Sequence, residues 1–356
     1  MLLESIDFKP KWALDHFESE ISEWDKISEV ANPLIFGTCL LTPCLPMPSN
    51  WFYLISGFAV SHTFRKVVQT AFGFCAYPMA VKYFWGFNDA ELQEEKEQID
   101  FLINEGFFVK KMFLWHSGTR YETILVANHL MIDSGVWTIE ALGNCAVMNF
   151  CIKERALKNF NNKTHTLFLN GPSVGASGGF PTRHQLGAGF EAAMQFLEKE
   201  VKATRILLNG LTTGMGFLSE AILKHDFTKG LTNGTKYLVI SYLAAGYLSE
   251  VAGDIGCCLA APCFSLAGME LDSVLAAKKL SELEITQIVI QHSSLDGKGS
   301  DSLLKDSISL SQKINKELII KYKIFLTSPN IKRDEALYVD IEAYLNKEIA
   351  GFIGAD

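Results

Sequence analysis

The chain has 356 residues, a formal net charge of −8 and eight cysteines. This length suits one large domain with an appendage or two domains, and no dense block of basic residues is present that would follow a nucleic-acid backbone. Nucleic acid is therefore not expected as a partner. No CxxC pair with a nearby histidine occurs, so the cysteines predict reduced thiols, without a disulfide framework or a zinc site.

The first 88 residues are predicted to form a hydrophobic, helical N-terminal region. No Asp, Glu, Lys or Arg occurs from Val30 to Phe64, and a second uncharged stretch runs from Val67 to Val81. The first stretch exceeds the ~20 apolar residues that a membrane-spanning helix needs, but its prolines argue against one straight span. Three interpretations of residues 31–88 stay open: a membrane hairpin, an interfacial anchor, or a buried hydrophobic subdomain that covers the later core.

Residues 89–104 are predicted to form an acidic connecting helix. Asn88 is a candidate N-cap, and acidic residues fill the first turns. The apolar stripe of this helix consists of Leu92, Ile99, Leu102 and Ile103. We expect a solvated helix that marks the boundary between the hydrophobic region and the rest of the chain.

Residues 105–356 alternate short apolar strands with helices. Two strands that flank His116-Ser117-Gly118 suit a hairpin, and further strands are predicted at VWTIEAL, HTLFLN, RILLNG, KYLVIS, ITQIVIQ and IIKYKIFL. Helices are predicted at MNFCIKERALKNF, at HQLGAGFEAAMQFLEKEV, after RILLNG through Ile222, in an apolar region from Leu243 to Leu266, and from about Ser302 to Asn315. Such short apolar strands, separated by helices, predict an α/β fold whose mainly parallel sheet is covered by helices on both faces. An antiparallel entry hairpin fits an α/β-hydrolase in particular.

A glycine-flanked turn, Gly210-Leu211-Thr212-Thr213-Gly214, lies between a predicted strand and a predicted helix. In an α/β-hydrolase the nucleophile occupies such a turn, because the turn holds its oxygen above the sheet at the N-terminus of a helix. Thr212 occupies the position where serine is usual, and it is the candidate nucleophile. An ordinary strand-to-helix turn without chemistry is the alternative interpretation.

Other loops supply the remaining candidates. The oxyanion-hole amides are predicted at Cys145, which follows VWTIEAL, and at Thr213. The acid is predicted at Asp296, or alternatively at Asp301, after ITQIVIQ. The glycine-rich loop at residues 170–179 lacks the Gly-Lys-Ser/Thr ending of a P-loop and does not match G-x-G-x-x-G, so nucleotide binding is not expected. No cofactor and no metal are predicted.

Three blocks of the chain resemble one protein family: FLNGPSVGASGG, AAMQFLEKEVKATRILLNGLTTGMGFLSEAI and ITQIVIQHSSLDG. They are similar to successive blocks of the chlamydial CHLPS-type proteins, an α/β-hydrolase-like family of unknown function with relatives among secreted Legionella effectors. The resemblance covers residues 105–330. It implies a protein of an obligate intracellular bacterium that is exported toward the host cell. The charge-free stretch of the N-terminal region predicts membrane association, with a cytoplasmic location as the alternative.

Two motifs carry this resemblance. A family loop of the type N-Y-P-G-V-x-x-S-x-G is matched by Asn170, Pro172, Val174, Ser177 and Gly179. Members that keep the full motif have Gly-His-Ser-Leu-Gly-Gly at the strand-to-helix turn. Here Gly210 and Gly214 match it, whereas Leu211, Thr212 and Met215 depart from it.

The chain offers no histidine where this fold places its general base. The order in α/β-hydrolases is nucleophile, acid, histidine, but no histidine follows IIKYKIFL, and only His225 and His292 follow Thr212. Asp296 with an ordinary pKa would be a poor base toward a threonine hydroxyl.

Three functions stay open. The first is a degenerate α/β-hydrolase-like protein that acts in binding or scaffolding at a membrane, with an unknown protein or a small acyl ligand as its partner. The second is an active serine-hydrolase-like esterase or lipase that uses Thr212 as nucleophile and His292 as base. The third is a membrane-anchored interaction protein whose binding surface lies outside the pocket.

Overall fold

The computed structural model describes residues 15–19, 69–71, 73, 82–83, 86–128, 131, 134–142, 147–255, 269–292, 306–317, 323–327 and 340–354. The strands are β1 (His16–Glu18), β2 (Phe107–His116), β3 (Thr119–Asn128), β4 (Val136–Ala141), β5 (His165–Leu169), β6 (Arg205–Leu211), β7 (Lys236–Tyr242), β8 (Thr286–His292) and β9 (Lys323–Thr327). The helices are α1 (Asp89–Asn104), α2 (Ile152–Asn161), α3 (Arg183–Phe196), α4 (Thr213–Lys224), α5 (Phe227–Thr232), α6 (Leu248–Ile255), α7 (Ser273–Glu282), α8 (Leu310–Glu317) and α9 (Asp340–Gly354).

The strands form one mixed sheet in the order β1-β2-β3-β5-β4-β6-β7-β8-β9. Strand β3 pairs antiparallel with β2 and with β5, and the pairs from β5 through β9 are parallel. The predicted fold class, a mainly parallel α/β sheet, is confirmed. Because β4, β6, β7 and β8 all run in one direction, their carboxyl ends share one edge of the sheet.

The entry hairpin forms where the sequence predicts it. Strands β2 and β3 pair in register from Phe107 opposite Asn128 to His116 opposite Thr119. Ser117 and Gly118 have φ values of 49° and 69°. Two adjacent residues with positive φ form the kind of two-residue turn that matches the twist of paired strands.

Helices cover both faces of the sheet. One core contains inward side chains of α3, α4 and α7, packed against alternate strand residues such as Trp137 and Ile139. On the opposite face, α1 and α2 pack over β3 and β5, and α9 packs over β6, β7 and β8. Strands covered on both faces read as nearly continuous apolar runs, and every residue of β4 is buried.

Helix α1 begins after Asn88, whose side chain accepts from the Glu91 N–H in a capping box. Its predicted apolar stripe is only half correct. Leu102 is fully buried and Ile99 packs beside it, but Leu92 and Ile103 are 46% and 50% exposed. The side of the helix that contacts β2 and α2 is narrower than the predicted stripe and includes the buried Glu95. The Glu95 carboxylate can be buried there because Lys111 and Asn149 supply partners for it.

The end of the hydrophobic N-terminal region contacts the α/β domain. Tyr83 is 3% exposed, and its ring centroid lies 4.8 Å from that of Phe87 and 5.9 Å from that of Phe150. Most of residues 31–88 lies outside the described ranges. Within the part of the chain that the structure describes, no helix is long and apolar enough to cross a membrane.

The apolar segment after β7 differs from its prediction. The sequence predicts a helical region from Leu243 to Leu266, but Ala245 and Tyr247 instead form isolated antiparallel bridges with Ser309 and Asp272. Helix α6 begins only at Leu248. These bridges satisfy backbone groups that a helix would otherwise pair internally. Residues 256–268 lie outside the described ranges.

Candidate active site

Thr212 forms the sharp turn between β6 and α4. Its backbone has φ 51° and ψ −117°, a conformation that is unusual for any residue but glycine and especially for a β-branched one. The Thr212 N–H donates to the Tyr242 carbonyl at 2.8 Å, and the Thr212 carbonyl accepts from the Met215 N–H at 3.2 Å. The neighbouring strand β7 and the first turn of α4 thus hold Thr212 in a strained backbone.

The flanking glycines permit the close approach that this turn requires. A Cβ at position 214 would lie 2.1 Å from the Ala141 carbonyl oxygen and 2.5 Å from that of Leu142. A Cβ at position 210 would lie 2.8 Å from the Met215 Cα. Real Cβ atoms do not approach backbone this closely, so the spacing of Gly210 and Gly214 follows from packing around the turn.

Thr213 is the first residue of α4, so its N–H has no partner within the helix. An N–H at a helix N-terminus is suited to an oxygen that carries negative charge. The Thr213 Oγ1 is also buried, and it has no hydrogen-bond partner among the described residues. Two donors of one residue therefore lie beside Thr212, and a role for Thr213 in an oxyanion hole stays a prediction.

The other predicted site residues follow strand ends at the same edge of the sheet. Strand β4, next to β6, ends at Ala141 ahead of Cys145, and β8 ends at His292 ahead of Asp296 and Asp301. Cys145, Asp296 and Asp301 themselves lie outside the described residues. Their roles remain predictions, as do those of Thr212 and Thr213.

The histidine nearest in sequence after the turn is engaged elsewhere. His225 ends α4 and is 2% exposed, and its Nε2 lies 2.7 Å from Glu198 Oε1. Helix rise places it roughly 18 Å along the axis from Thr212. His225 is therefore excluded as the base for Thr212 in this structure.

The glycine-rich loop at residues 170–179 is fastened by a buried carboxylate. Glu122 Oε2 accepts from Asn170 Nδ2 at 3.0 Å and from the Ala176 N–H at 3.1 Å. Ser177 Oγ accepts from the Glu122 N–H at 2.9 Å and donates to the Asn170 carbonyl at 3.1 Å. The Glu122 carboxylate thus accepts a hydrogen bond from a loop N–H that, in a phosphate-binding loop, would donate to the phosphate.

The family model described as Chlamydia CHLPS protein (DUF818) matches residues 131–353. This range contains the glycine-rich loop, the Thr212 turn and every strand from β4 to β9. The chain belongs to this family. The predicted resemblance to the chlamydial CHLPS-type proteins is confirmed.

Solved structures of α/β hydrolases share the fold of this CHLPS family member. The Pyrococcus furiosus esterase Pf2001 is 12% identical and gives a TM-score of 0.50, over 71% of this chain and 92% of that chain. An α/β hydrolase from Vibrio vulnificus is 10% identical and gives a TM-score of 0.53, over 98% of each chain. At this identity the likeness shows the fold alone. No curated protein matches the chain.

Sequence reasoning missed a polar group directly behind the turn of this CHLPS protein. Glu140 on β4 is 3% exposed, and its carboxylate accepts from Asn159 Nδ2 at 2.8 Å and from Asn209 Nδ2 at 3.1 and 3.0 Å. Burial alone would lower the pKa of Arg155, but the nearby Glu140 carboxylate raises it above its ordinary value. The detectable signal was a carboxylate, Glu140, inside the mainly apolar strand VWTIEA, and an amide, Asn209, inside the mainly apolar strand RILLNGL.

Within the ranges that the structure describes, no group of three or more His, Cys, Asp or Glu side chains is placed to hold a metal ion.

Proposed function

We propose that this CHLPS family member is a degenerate hydrolase that binds a small acyl compound at the Thr212 turn without efficient turnover. The main support for this proposal is the strained backbone of Thr212, at φ 51° and ψ −117°. Such strain costs about 1–3 kcal/mol and persists only where the surrounding structure enforces it. The surrounding structure therefore holds the sharp turn of a hydrolase although the residue at its centre is a threonine.

The donors at the turn support a ligand with a carbonyl or carboxylate oxygen. The Thr213 N–H at the N-terminus of α4 and the Thr213 hydroxyl, which has no hydrogen-bond partner among the described residues, are the two donors that support this proposal. No histidine occupies the place in the sequence where this fold has its base. His225 is paired with Glu198, and residues 328–339, which follow β9, contain no histidine. Without a base, a threonine hydroxyl stays a weak nucleophile.

An assay of three full-length proteins tests this proposal. The native chain, Thr212→Ser, and Thr212→Ser with Asn330→His are treated with a fluorophosphonate probe and with short-chain p-nitrophenyl esters. Asn330 is chosen because it follows β9, where this fold places its histidine. We expect no probe labelling and no ester hydrolysis by the native chain, and both by the protein with two substitutions. Turnover by the native chain that is lost in Thr212→Ala would overturn the proposal.

Binding is measured separately by titration calorimetry with short-chain carboxylates and unreactive acyl amides. Thr213→Val keeps the side-chain shape and removes the buried hydroxyl, so we expect it to weaken binding. Thr232→Val, at an exposed position of α5, is the matched control and leaves affinity unchanged. Equal affinity in the native and Thr213→Val proteins would remove the Thr213 hydroxyl from the site.

An active esterase is the second candidate. Strand β8 ends at His292, and only β7 lies between β6 and β8. Two strand spacings put the His292 backbone roughly 10 Å from the turn, at the same edge of the sheet. In this alternative His292 is the base, Asp296 or Asp301 orients it, and the amides of Cys145 and Thr213 hold the oxyanion. His292→Gln would then abolish any native turnover.

We further propose that the ligand is bound at a membrane through residues 31–88. The support is the absence of charged residues from Val30 to Phe64. The full chain, and residues 1–88 fused to a soluble reporter, are expected in the carbonate-resistant membrane fraction. A soluble fusion together with a soluble full chain would contradict membrane attachment and favour a subdomain that covers the core.

A further inference from the structure

Strand β1 is a three-residue edge strand that pairs with β2. At its two ends the Phe113 N–H donates to the Asp15 carbonyl at 3.2 Å, and the Ser19 N–H donates to the Trp115 carbonyl at 2.9 Å. A strand this short has few ladder hydrogen bonds, so single side-chain contacts contribute a large share of its attachment.

One such contact buries the Phe17 side chain in the core. Phe17 is 7% exposed, and its ring packs edge-on against Phe196 of α3 with a centroid distance of 5.4 Å. Release of β1 would uncover the Phe196 ring and the free edge of β2. An exposed strand edge next to an apolar side chain is a surface to which another strand can add.

The hydrogen bonds of Ser19 assign one proton of His116. Ser19 Oγ lies 2.8 Å from the Trp115 carbonyl oxygen and 2.7 Å from His116 Nδ1. A carbonyl oxygen only accepts, so the single hydroxyl hydrogen must point to Trp115. The contact with His116 is then a hydrogen bond only if Nδ1 carries a proton and donates to Ser19.

The other ring nitrogen of His116 faces a carboxylate. Its Nε2 lies 3.8 Å from Glu191 Oε2, and the two residues are 1% and 9% exposed. A bare nitrogen lone pair would repel the carboxylate, whereas an N–H attracts it. A positive charge on the ring also offsets part of the cost of burying this carboxylate. Both nitrogens of His116 therefore carry protons, and the ring is an imidazolium paired with Glu191.

The neighbouring histidine is neutral. The rings of His116 and His184 lie 6.0 Å apart, and Lys224 Nζ donates to His184 Nδ1. Because an ammonium has no acceptor, His184 Nδ1 carries no proton. The two rings thus do not repel each other as two cations.

In the described part of the chain, further charged groups near this cluster lie on α3, α4 and α7. Glu220 pairs with Arg183 at 2.7 Å and with Lys224 at 3.4 Å. Lys279 of α7 lies within electrostatic range of Glu191. On the strand side, Arg120 of β3 lies over the Phe113 ring, and the charged residues of β1 are exposed. Among the described residues of this cluster, His116 and Glu191 form a buried pair whose nearest charged atoms lie 3.8 Å apart.

We propose that the Ser19–His116–Glu191 cluster is a pH-sensitive clasp that fastens β1 to the sheet and releases it as the pH rises. Below the ordinary histidine pKa of about 6.5 the imidazolium is available and the clasp is closed. As the pH rises, His116 loses a proton, and either the donor to Ser19 or the attraction to Glu191 is lost. The β1 segment then detaches with its Phe17 side chain, while the rest of the sheet stays paired.

Hydrogen exchange of the full chain, followed by mass spectrometry at pH 5.5 to 8.5 and corrected for intrinsic rates, tests the clasp. We expect the protection of residues 15–19 and 113–116 to fall by up to about tenfold per unit of pH above the transition, the limit for the loss of one proton. Glu191→Gln and Ser19→Ala should be weakly protected at every pH, whereas His184→Gln should keep the native pH dependence. Protection of α4 serves as the internal control for global unfolding.

The same pH dependence in native and Glu191→Gln proteins, or no pH dependence in the native chain, would overturn the proposal. A second measurement does not depend on how the variants fold. Nitrogen chemical shifts of the His116 ring in the native chain at pH 6 should be those of a doubly protonated imidazolium, assigned with His116→Gln. A neutral tautomer at that pH would exclude the clasp.

Discussion

The Cα of Gly214 lies so close to the Ala141 carbonyl that a Cβ added at position 214 would be 2.1 Å from that oxygen. This contact joins the first turn of α4 to the end of β4, and hence joins the candidate nucleophile turn to the loop predicted to hold the oxyanion. Neither backbone can move away without disturbing a strand or a helix.

Gly214→Ala should therefore destabilise the protein. We expect the free energy of unfolding to fall by about 2 kcal/mol or more, because the added carbon meets backbone and not a flexible side chain. Gly351→Ala is the matched control, since a Cβ there has nothing within 4 Å and lies in a helix. The control should gain about 0.5–1 kcal/mol. Urea unfolding measures both, and a Gly214→Ala protein as stable as the native one would contradict the close contact.

The strained Thr212 backbone gives a prediction of opposite sign. Glycine adopts φ 51° with ψ −117° far more easily than threonine, so Thr212→Gly should raise the free energy of unfolding by up to about 1 kcal/mol after the entropy of glycine is counted. Thr212→Val keeps the β-branch and should gain nothing. Urea unfolding of the native, Thr212→Gly and Thr212→Val proteins checks this. A Thr212→Gly protein no more stable than the native chain would argue against strain at the turn.

The Asn209 amide donates twice to the buried Glu140 carboxylate. Asn209→Ala leaves that carboxylate short of donors and should lower the free energy of unfolding by about 1–3 kcal/mol. Gln93→Ala, at an exposed position of α1, is the control and should change it by less than about 0.5 kcal/mol. Chemical denaturation at neutral pH provides the measurement. Equal stabilities of the two variants would show that Glu140 does not depend on Asn209.

The fold disfavours the protonated form of His165, whereas the proposed clasp favours the protonated form of His116. Its Nδ1 accepts from the Asn128 N–H at 3.3 Å, and its Nε2 lies 3.0 Å from the Met131 carbonyl oxygen. Burial lowers the pKa of His165 to about 4, although the hydrogen bond to Met131 raises it. His165 therefore takes up a proton near pH 6.5 in the unfolded chain but only near pH 4 in the folded chain. Its contribution to the free energy of unfolding is fully present above pH 6.5 and is lost as the pH falls toward 4.

This linkage predicts a measurable pH dependence. Between pH 7.5 and pH 5 the His165 contribution should lower the free energy of unfolding by about 2 kcal/mol. In His165→Gln this part of the decline disappears, so the difference between native and variant proteins should narrow on acidification. Denaturation curves at a series of pH values measure it. A constant difference across that range would show that His165 titrates alike in both states.

Local patterns were enough to predict much of this protein. The hairpin at Ser117-Gly118, the alternation of apolar strands and helices, and the Gly-x-Thr-x-Gly turn are encoded within a few residues, because side-chain periodicity and glycine spacing act over short distances. Short or amphipathic pieces gave weaker signals, and β1, α5, α7 and α9 were not predicted.

Tertiary structure alone decided which distant residues meet. Ser19 and His116 are 97 positions apart, and Glu140 and Asn209 are 69 positions apart. Each pair exists because the strand order and register bring two particular side chains to one face of the sheet. The positive φ of Thr212 is likewise held by a carbonyl on β7, so a sequence identifies the turn but only the assembled sheet imposes its strain.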